Sequence, residues 1–440
     1  MNWKTRLLAG SLGLAMLAGP VQALTVDKVN HFTLGNGMKF LVVESRAIPN
    51  ANFYVFWKVG SRNEALGATG LSHFFEHMMF NGASKYGVKQ FDRVMEAKGG
   101  TNNAYTTTDV TVYTNWFPAT SLETIFDLEG DRIASLTIDP KMVESERGVV
   151  ISERTTGLEN SNFRMLDEEV MSVAFLAHPY SWPVLGFESD IKAWTQADLR
   201  HYFDTYYAPN NAVTVVVGDV TFDQVKKFAE QYIGPIPARA KPPAVRTVEP
   251  EQRGERRVFV KKASVTTPNL QFAFKTPAIN HPDYYALEVL QSILAEGKTS
   301  RLYRALVDQR LATEVEVYAP ETFDPGVLNV FVVAAEGVSA AKLEKATLAE
   351  MDKLVRNGIS EQELQKVRKL KLIQYYRQLE TINGQASLLG KYETFFGDYR
   401  KLFDAPKAYE ALSVADIKAV AAKYLKKSQR TVGVLAAKEE

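Results

Sequence analysis

The stretch from Gly70 to Gly82, which contains His73-Phe74-Phe75-Glu76-His77, most constrains what this chain can fold into. As a helix it sets His73 and His77 one turn apart on a single face, with Glu76 still on that side. Two imidazoles at this spacing can share one metal ion, as in H-E-x-x-H zinc helices; here the order is inverted to H-x-x-E-H. Phe74, Phe75, Met78, Met79 and Phe80 then need a core to cover them. The alternative is a helix with two surface histidines and an unrelated Glu. With only six histidines in the chain, that coincidence is uncommon. A catalytic zinc usually takes three protein ligands and keeps its fourth position for water, so a third ligand must come from elsewhere.

The best source is the acidic stretch from Glu144 to Arg154. On a helix Glu146 and Glu153, seven residues apart, share one face two turns apart. One can bind the metal while the other holds a ligand histidine by its far nitrogen. A solvated charged face is the alternative for this stretch.

At 440 residues the chain exceeds a single core and suggests two or three domains. Fifty-two basic against 51 acidic residues give no global field for nucleic acid or an anionic membrane. Residues 1–23 read as a secretory signal peptide: Lys4 and Arg6, an apolar run from Leu7 to Ala18, and a small-residue cleavage site at Ala23. That apolar run is shorter than the roughly 20 residues a retained anchor needs. Export places the mature protein in the periplasm or outside the cell, without stable membrane insertion. The chain has no cysteine, so it must be stabilised by its cores alone.

After the signal, a hairpin over Asn30–Glu44 and a strand over Phe53–Val59 precede the metal-site helix. Thr101–Trp116 is rich in Thr, Tyr and Val and reads as one or two strands. Helices follow over Leu122–Ile138 and from Pro140 past Glu153, and a buried strand covers Ala212–Gly218. Residues 234–256 carry five prolines and no apolar periodicity, and read as a linker between domains at 24–233 and 257–440. Strands and helices alternate in both halves. The fold class expected is α+β, each domain a largely antiparallel sheet with helices packed on one side. Both halves end alike: Ala197-Asp198-Leu199 and Ala415-Asp416-Ile417 open helices with Tyr206 and Tyr424 at equal offset, each followed by a β-branched strand. Homologous, duplicated domains are therefore expected.

These motifs resemble the pitrilysin family of inverted zincins, which includes insulin-degrading enzyme and the mitochondrial processing peptidase. The resemblance runs from about Phe32 to the C-terminus and is strongest between Asn36 and Glu153. In that family a ligand Glu closes an E-R-x-x-V-x-x-E pattern about 76 residues after the second His. Here the pattern runs from Glu146 to Glu153, and 153 minus 77 is 76. The resemblance implies one Zn2+ per chain held by His73, His77 and Glu153, Glu76 as general base to the zinc-bound water, and Glu146 supporting a ligand from behind. It also implies that peptide substrate adds as an extra strand along Thr101–Thr106, with Asn103 and Ala104 in substrate binding. A plain strand end is the alternative there. The activity implied is that of a zinc endopeptidase acting on peptides or small unfolded proteins.

One family feature is missing. Active members also carry an Arg and a Tyr seven apart in a domain like this chain's second half, supporting the substrate carbonyl. Anchoring on Ser300-Arg301-Leu302 places Val307 and Glu314 at those positions. Arg310 and Tyr318 are eight apart and substitute poorly. The expected partner is a homologous subunit supplying the pair, the two bowl-shaped chains closing as a clamshell heterodimer. A self-sufficient or homodimeric peptidase, or a non-catalytic binding or assembly subunit, are the alternatives.

Overall fold

The computed structural model describes residues 24–438. The expected signal peptide lies outside the described residues. In the first half, β1 (Val29–Thr33), β2 (Lys39–Glu44) and β3 (Asn50–Trp57) precede α1 (Leu71–Met78) and α2 (Gln90–Ala97). Then come β4 (Thr101–Thr106), β5 (Thr111–Pro118), α3 (Leu122–Ser135), α4 (Pro140–Asn160), α5 (Asn162–Ala174), α6 (Glu188–Ala193), α7 (Gln196–Tyr206), β6 (Ala212–Gly218) and α8 (Phe222–Phe228). The second half runs β7 (Arg256–Lys261), β8 (Asn269–Lys275), α9 (Tyr284–Ala295), β9 (Ala312–Tyr318), β10 (Val327–Ala334) and α10 (Ala340–Asn357). It closes with α11 (Glu361–Leu379), α12 (Ile382–Phe396), α13 (Ala405–Ala411), α14 (Val414–Tyr424) and β11 (Arg430–Ala436).

The first sheet has strand order β1-β2-β6-β3-β5-β4 and the second β7-β11-β8-β10-β9. Aligning β7, β11, β8, β10 and β9 with β2, β6, β3, β5 and β4 reproduces the order strand for strand. The one parallel pair in each sheet, β2 with β6 and β7 with β11, falls at the same place. The matched ends also recur in detail. Capping boxes Thr195–Asp198 and Ser413–Asp416 start α7 and α14, and Tyr206 and Tyr424 end them.

Each sheet packs its own half's helices on one face. Phe40, Phe53, Val55 and Trp57 join Phe74, Phe75 and Phe126 in one core of the first half. The opposite face is covered by a helix from the other half. α5 lays Leu166 and Val170 on the second sheet against β7, β8 and β11, while α12 crosses back onto β3 and β6. Two glycines allow this close approach. A Cβ at Gly390 of α12 would lie 2.0 Å from the Phe56 ring, and one at Gly433 of β11 would lie 2.3 Å from Val170.

The Pro-rich stretch 234–255 has no helix or strand, yet it is pinned. Glu249 accepts backbone N–H bonds from Leu176, Ala177 and His178, and buried Gln252 donates to the Arg430 carbonyl. Within the basic run Lys366–Lys371, which the sequence alone suggests is a solvated face, Arg368 instead donates to the carbonyls of Tyr409 and Leu412. His178 sits in a packed loop and pairs with Asp324.

Candidate metal centre

The metal helix is held from its N-terminus. Gly70 precedes it at φ 88°, and a Cβ there would meet the Leu185 carbonyl oxygen at 2.5 Å, so only glycine fits. Glu64 accepts the N–H groups of Gly70 and Ser72, each at 2.7 Å, which satisfies donors a helix start leaves open. Asp190 accepts from Gly67 and Thr69 in the approach loop. The apolar face of α1 then fixes its rotation. Phe74 packs on Trp194 and Phe75 on Tyr202, Phe203 and Tyr207, and both phenylalanines are fully buried. The opposite face carries His73, Glu76 and His77.

α4 passes in front of that face. Glu153 Oε2 lies 3.6 Å from His73 Nε2 and 3.7 Å from His77 Nε2. Ligand atoms of His73, His77 and Glu153 all lie within 4.8 Å of one another, and no other such group occurs among the described residues. Zinc–donor distances near 2.0–2.1 Å in a tetrahedron separate the donors by about 3.4 Å, near the two Glu153–imidazole separations, so the donor types and spacing suit the ion. His77 Nδ1 lies 3.2 Å from Glu146 Oε2, so a proton on Nδ1 leaves Nε2 free as a lone-pair donor. The His73 Nδ1 is buried without a partner.

The electrostatics suit a cation. Burial, aided by His77 and Arg164, pushes His73 down to about 3 and keeps it neutral. Burial also lowers His77, but the Glu146 hydrogen bond and the carboxylates of Glu146, Glu76 and Glu153 outweigh it and hold the imidazole above its ordinary value. The same bond to His77 holds Glu146 below the usual carboxylate range. Burial raises Glu76, against the opposing pull of a hydrogen bond from Thr106. Glu146 lies beside His77, Glu153 faces both imidazoles, and Glu76 is electrostatically coupled to His77 and Glu153, an arrangement whose carboxylates a divalent ion would neutralise.

The structure therefore brings His73, Glu76, His77, Glu146 and Glu153 together. It separates Asn103 from Ala104. In the β4–β5 register, Ala104 opposite Tyr113 and Thr106 opposite Thr111 share the α1 face, while Asn103 opposite Thr114 and Tyr105 opposite Val112 share the other. Both residues still border the space beside Glu76 and His77. β4 is the sheet's edge strand, so its outer backbone edge runs past the metal cluster unpaired among the described residues. On one side of the cluster a cavity of about 480 Å³ touches His73, Glu76 and Glu153 and reaches Tyr318 and Asn329 of the second half. The Tyr318 hydroxyl donates to Asp167 at 3.0 Å, and Arg301 is committed to Glu363.

Sequence reasoning missed Thr106, whose Oγ1 donates to Glu76 Oε2 at 2.6 Å, and it missed Glu64 and Asp190. Thr106 sits in a Thr-rich run that strand propensity alone explains. Glu64 lies seven residues before the first helical residue, beyond any capping-box spacing.

Comparison with known proteins identifies the family. Residues 39–186 match the family described as Insulinase (Peptidase family M16), and residues 193–371 match Peptidase M16 inactive domain. The chain is similar to the zinc protease PqqE of Helicobacter pylori, 32% identical over 92% of each chain. It is also similar to the mitochondrial-processing peptidase subunit beta of Lentinula edodes, 24% identical over 89% of this chain and 86% of that one. A crystal structure of a protease from Helicobacter pylori superposes with a TM-score of 0.89 at 31% identity, covering 93% of this chain and 99% of that one. With sequence identity spread over both halves, and the zinc-protease relatives matched along nearly their full lengths, this chain belongs to peptidase family M16.

Proposed function

We propose that the chain is the metal-bearing subunit of a zinc endopeptidase acting on peptides or small unfolded proteins. The observation that carries this is the convergence of His73, His77 and Glu153 beside Glu76, on the flank of the free β4 edge. A bound zinc supplies Lewis acidity, making water nucleophilic near neutral pH and polarising a carbonyl. The protein's own groups do the rest. The β4 edge, with Asn103 and Ala104, holds an extended peptide by backbone pairing, which asks little of its sequence. Thr106 occupies Oε2 of Glu76 and leaves Oε1 to take a proton during attack and return it to the leaving amine. Glu146 fixes the His77 tautomer.

Full activity requires a homologous partner that supplies an Arg and a Tyr across the cleft, because the second-half stretch from Thr299 to Arg310 lacks that pair. Tyr318 favours the second reading, a self-sufficient enzyme, since it borders the same cavity; its hydroxyl, however, is engaged by Asp167. Export to the periplasm or beyond follows from the N-terminal signal pattern. No helix among the described residues is long and apolar enough to cross a membrane.

The test combines zinc analysis with a quenched-peptide assay, with and without the partner. Glu76→Gln should retain zinc and lose hydrolysis; hydrolysis by that metal-loaded variant removes Glu76 from the base role. His73→Ala and Glu153→Ala should lose zinc. Full activity from a rigorously purified single chain overturns the need for a partner, and no activity in any combination leaves the binding or assembly role.

A further inference from the structure

The face of the first sheet turned away from the metal holds a second cavity beside the same edge strand. It measures about 920 Å³, against about 480 Å³ for the metal-side cavity, and Tyr105, Thr108, Val184 and Pro320 border both. Its walls are largely apolar: Tyr54, Phe56, Tyr105, Val110, Leu388 and Phe395. The charges on its rim, Lys391 and Glu321, form an ion pair with each other, and the Lys391 amine also donates to the Tyr284 hydroxyl. The cavity therefore offers little unpaired charge to an ionic ligand.

The cavity's position follows from register. Tyr54, Thr114 and Asn103 form one row across β3, β5 and β4, and Phe56, Val112 and Tyr105 form the next. Both rows lie on the far face, and α12 covers that face only further in, over β3 and β6. Tyr105 is left 44% exposed at the strand edge. A peptide paired along β4 continues the pleat, so its side chains alternate between the α1 face and this one.

We propose that this far-face cavity is a side-chain subsite that takes large apolar or aromatic residues at alternate positions of a strand-added peptide. The inference rests on peptide addition to β4 and extends it to a substrate class. Specificity that backbone pairing cannot supply would come from here, through residues of α12 contributed by the second half. Ser387 is exposed on α12 at the cavity wall.

The test uses the full chain in a Glu76→Gln background and labelled alanine-based peptides of about ten residues, with one Phe stepped along the sequence. Affinity is read by fluorescence anisotropy. Phe should strengthen binding with a period of two. Ser387→Trp should weaken the far-face set about tenfold and leave the alternate set unchanged, the scale expected for a hydrophobic pocket. Leu388→Ala, which enlarges the cavity instead, should weaken the same set and serves as the second variant if Ser387→Trp does not fold. A scan without alternation, or variants that shift every position equally or none, overturns the subsite. Hydrolysis of the same peptides by the unsubstituted chain with its partner is scored separately. Hydrolysis without alternation sinks only the subsite, alternation without hydrolysis sinks only the peptidase reading, and no binding at all sinks both.

Discussion

Glu146 touches no proposed ligand position except through His77, and that makes it the sharpest probe of the metal centre. Its Oε2 lies 3.2 Å from His77 Nδ1, and its side chain is 16% exposed. A charge-assisted hydrogen bond of this kind is worth about 1.5–3 kcal/mol. The part realised on metal binding corresponds to a loss of about 10–100-fold in metal affinity when such a group is removed. Glu146→Ala should therefore weaken zinc by that factor. Glu146→Gln should weaken it less, because the amide oxygen still accepts the Nδ1 proton and only the charge is lost. The two effects separate with pH. Glu146 also raises the pKa of His77, so at low pH it favours the proton that competes with the metal. The gap between the original chain and Glu146→Ala should then be wide at pH 8 and narrower at pH 6. Titration of the metal-free chains with zinc against a chromophoric chelator at both pH values measures it. Affinities within about twofold at pH 8, far below the expected loss, or a gap that widens on acidification, would refute this role.

Three other predictions concern different links. Thr106→Val should lower kcat about 10–100-fold, the cost of a charged hydrogen bond of about 1.5–3 kcal/mol. Zinc content and KM should stay unchanged and Thr106→Ser should restore the rate; a KM effect alone would make Thr106 a substrate contact. Gly390→Ala and Gly433→Ala should each destabilise by about 1–3 kcal/mol through overpacking, read as a lower urea midpoint. Unchanged midpoints would contradict the close packing between halves. Burial pushes Glu64 up to about 8, against its two backbone N–H bonds and above the 4.5 of an exposed Glu. A carboxyl raised in the folded state contributes fully below the unfolded pKa and loses that contribution as pH rises through the folded one. Thermal stability should therefore fall more steeply between about pH 5 and 8 in the original chain than in Glu64→Gln, by up to about 1.4 kcal/mol per pH unit. Parallel profiles would remove Glu64 as the titrating group.

The grouping of His73, His77 and Glu153 was legible because its signals are local or periodic. His73 and His77 are one turn apart, and Glu146 and Glu153 are two turns apart on a single helix. Strand and helix positions followed from the same periodicities, as at Ala212–Gly218, which is buried along its whole length. The support of the cluster was not legible. Thr106 reaches Glu76 across 30 residues of chain, and Glu64 caps α1 through a loop whose shape depends on Gly70 and Leu185. Leu166, Val170 and Ala174 form a readable apolar stripe on α5, but nothing in their spacing says that the sheet they cover belongs to the other half.

That exchange of helices bears on the chemistry. His73 and His77 sit on a helix fixed to the first sheet, whereas Glu153 sits on α4, which runs directly into α5 and so into the second half. α4 is anchored to the first half through buried Val143 and Val150 and through Arg147, while its C-terminal end meets Lys262 of the second. Glu153 lies between the two anchorages, so its 3.6 and 3.7 Å separations are the ones exposed to how the halves are seated. The helix at the equivalent place in the second half, α9, has no histidine and buries an almost wholly apolar face, so only one of the two repeated arrangements offers candidate metal ligands. It follows that loosening the interface far from the metal, as with Gly433→Ala, should weaken zinc binding. By linkage, zinc stabilises each chain by RT ln(1 + [Zn]/Kd), so with its larger Kd the variant gains less and its stability gap to the original chain should widen as zinc is added. Zinc affinity unchanged in a clearly destabilised Gly433→Ala variant would show instead that α4 is held to the first half alone.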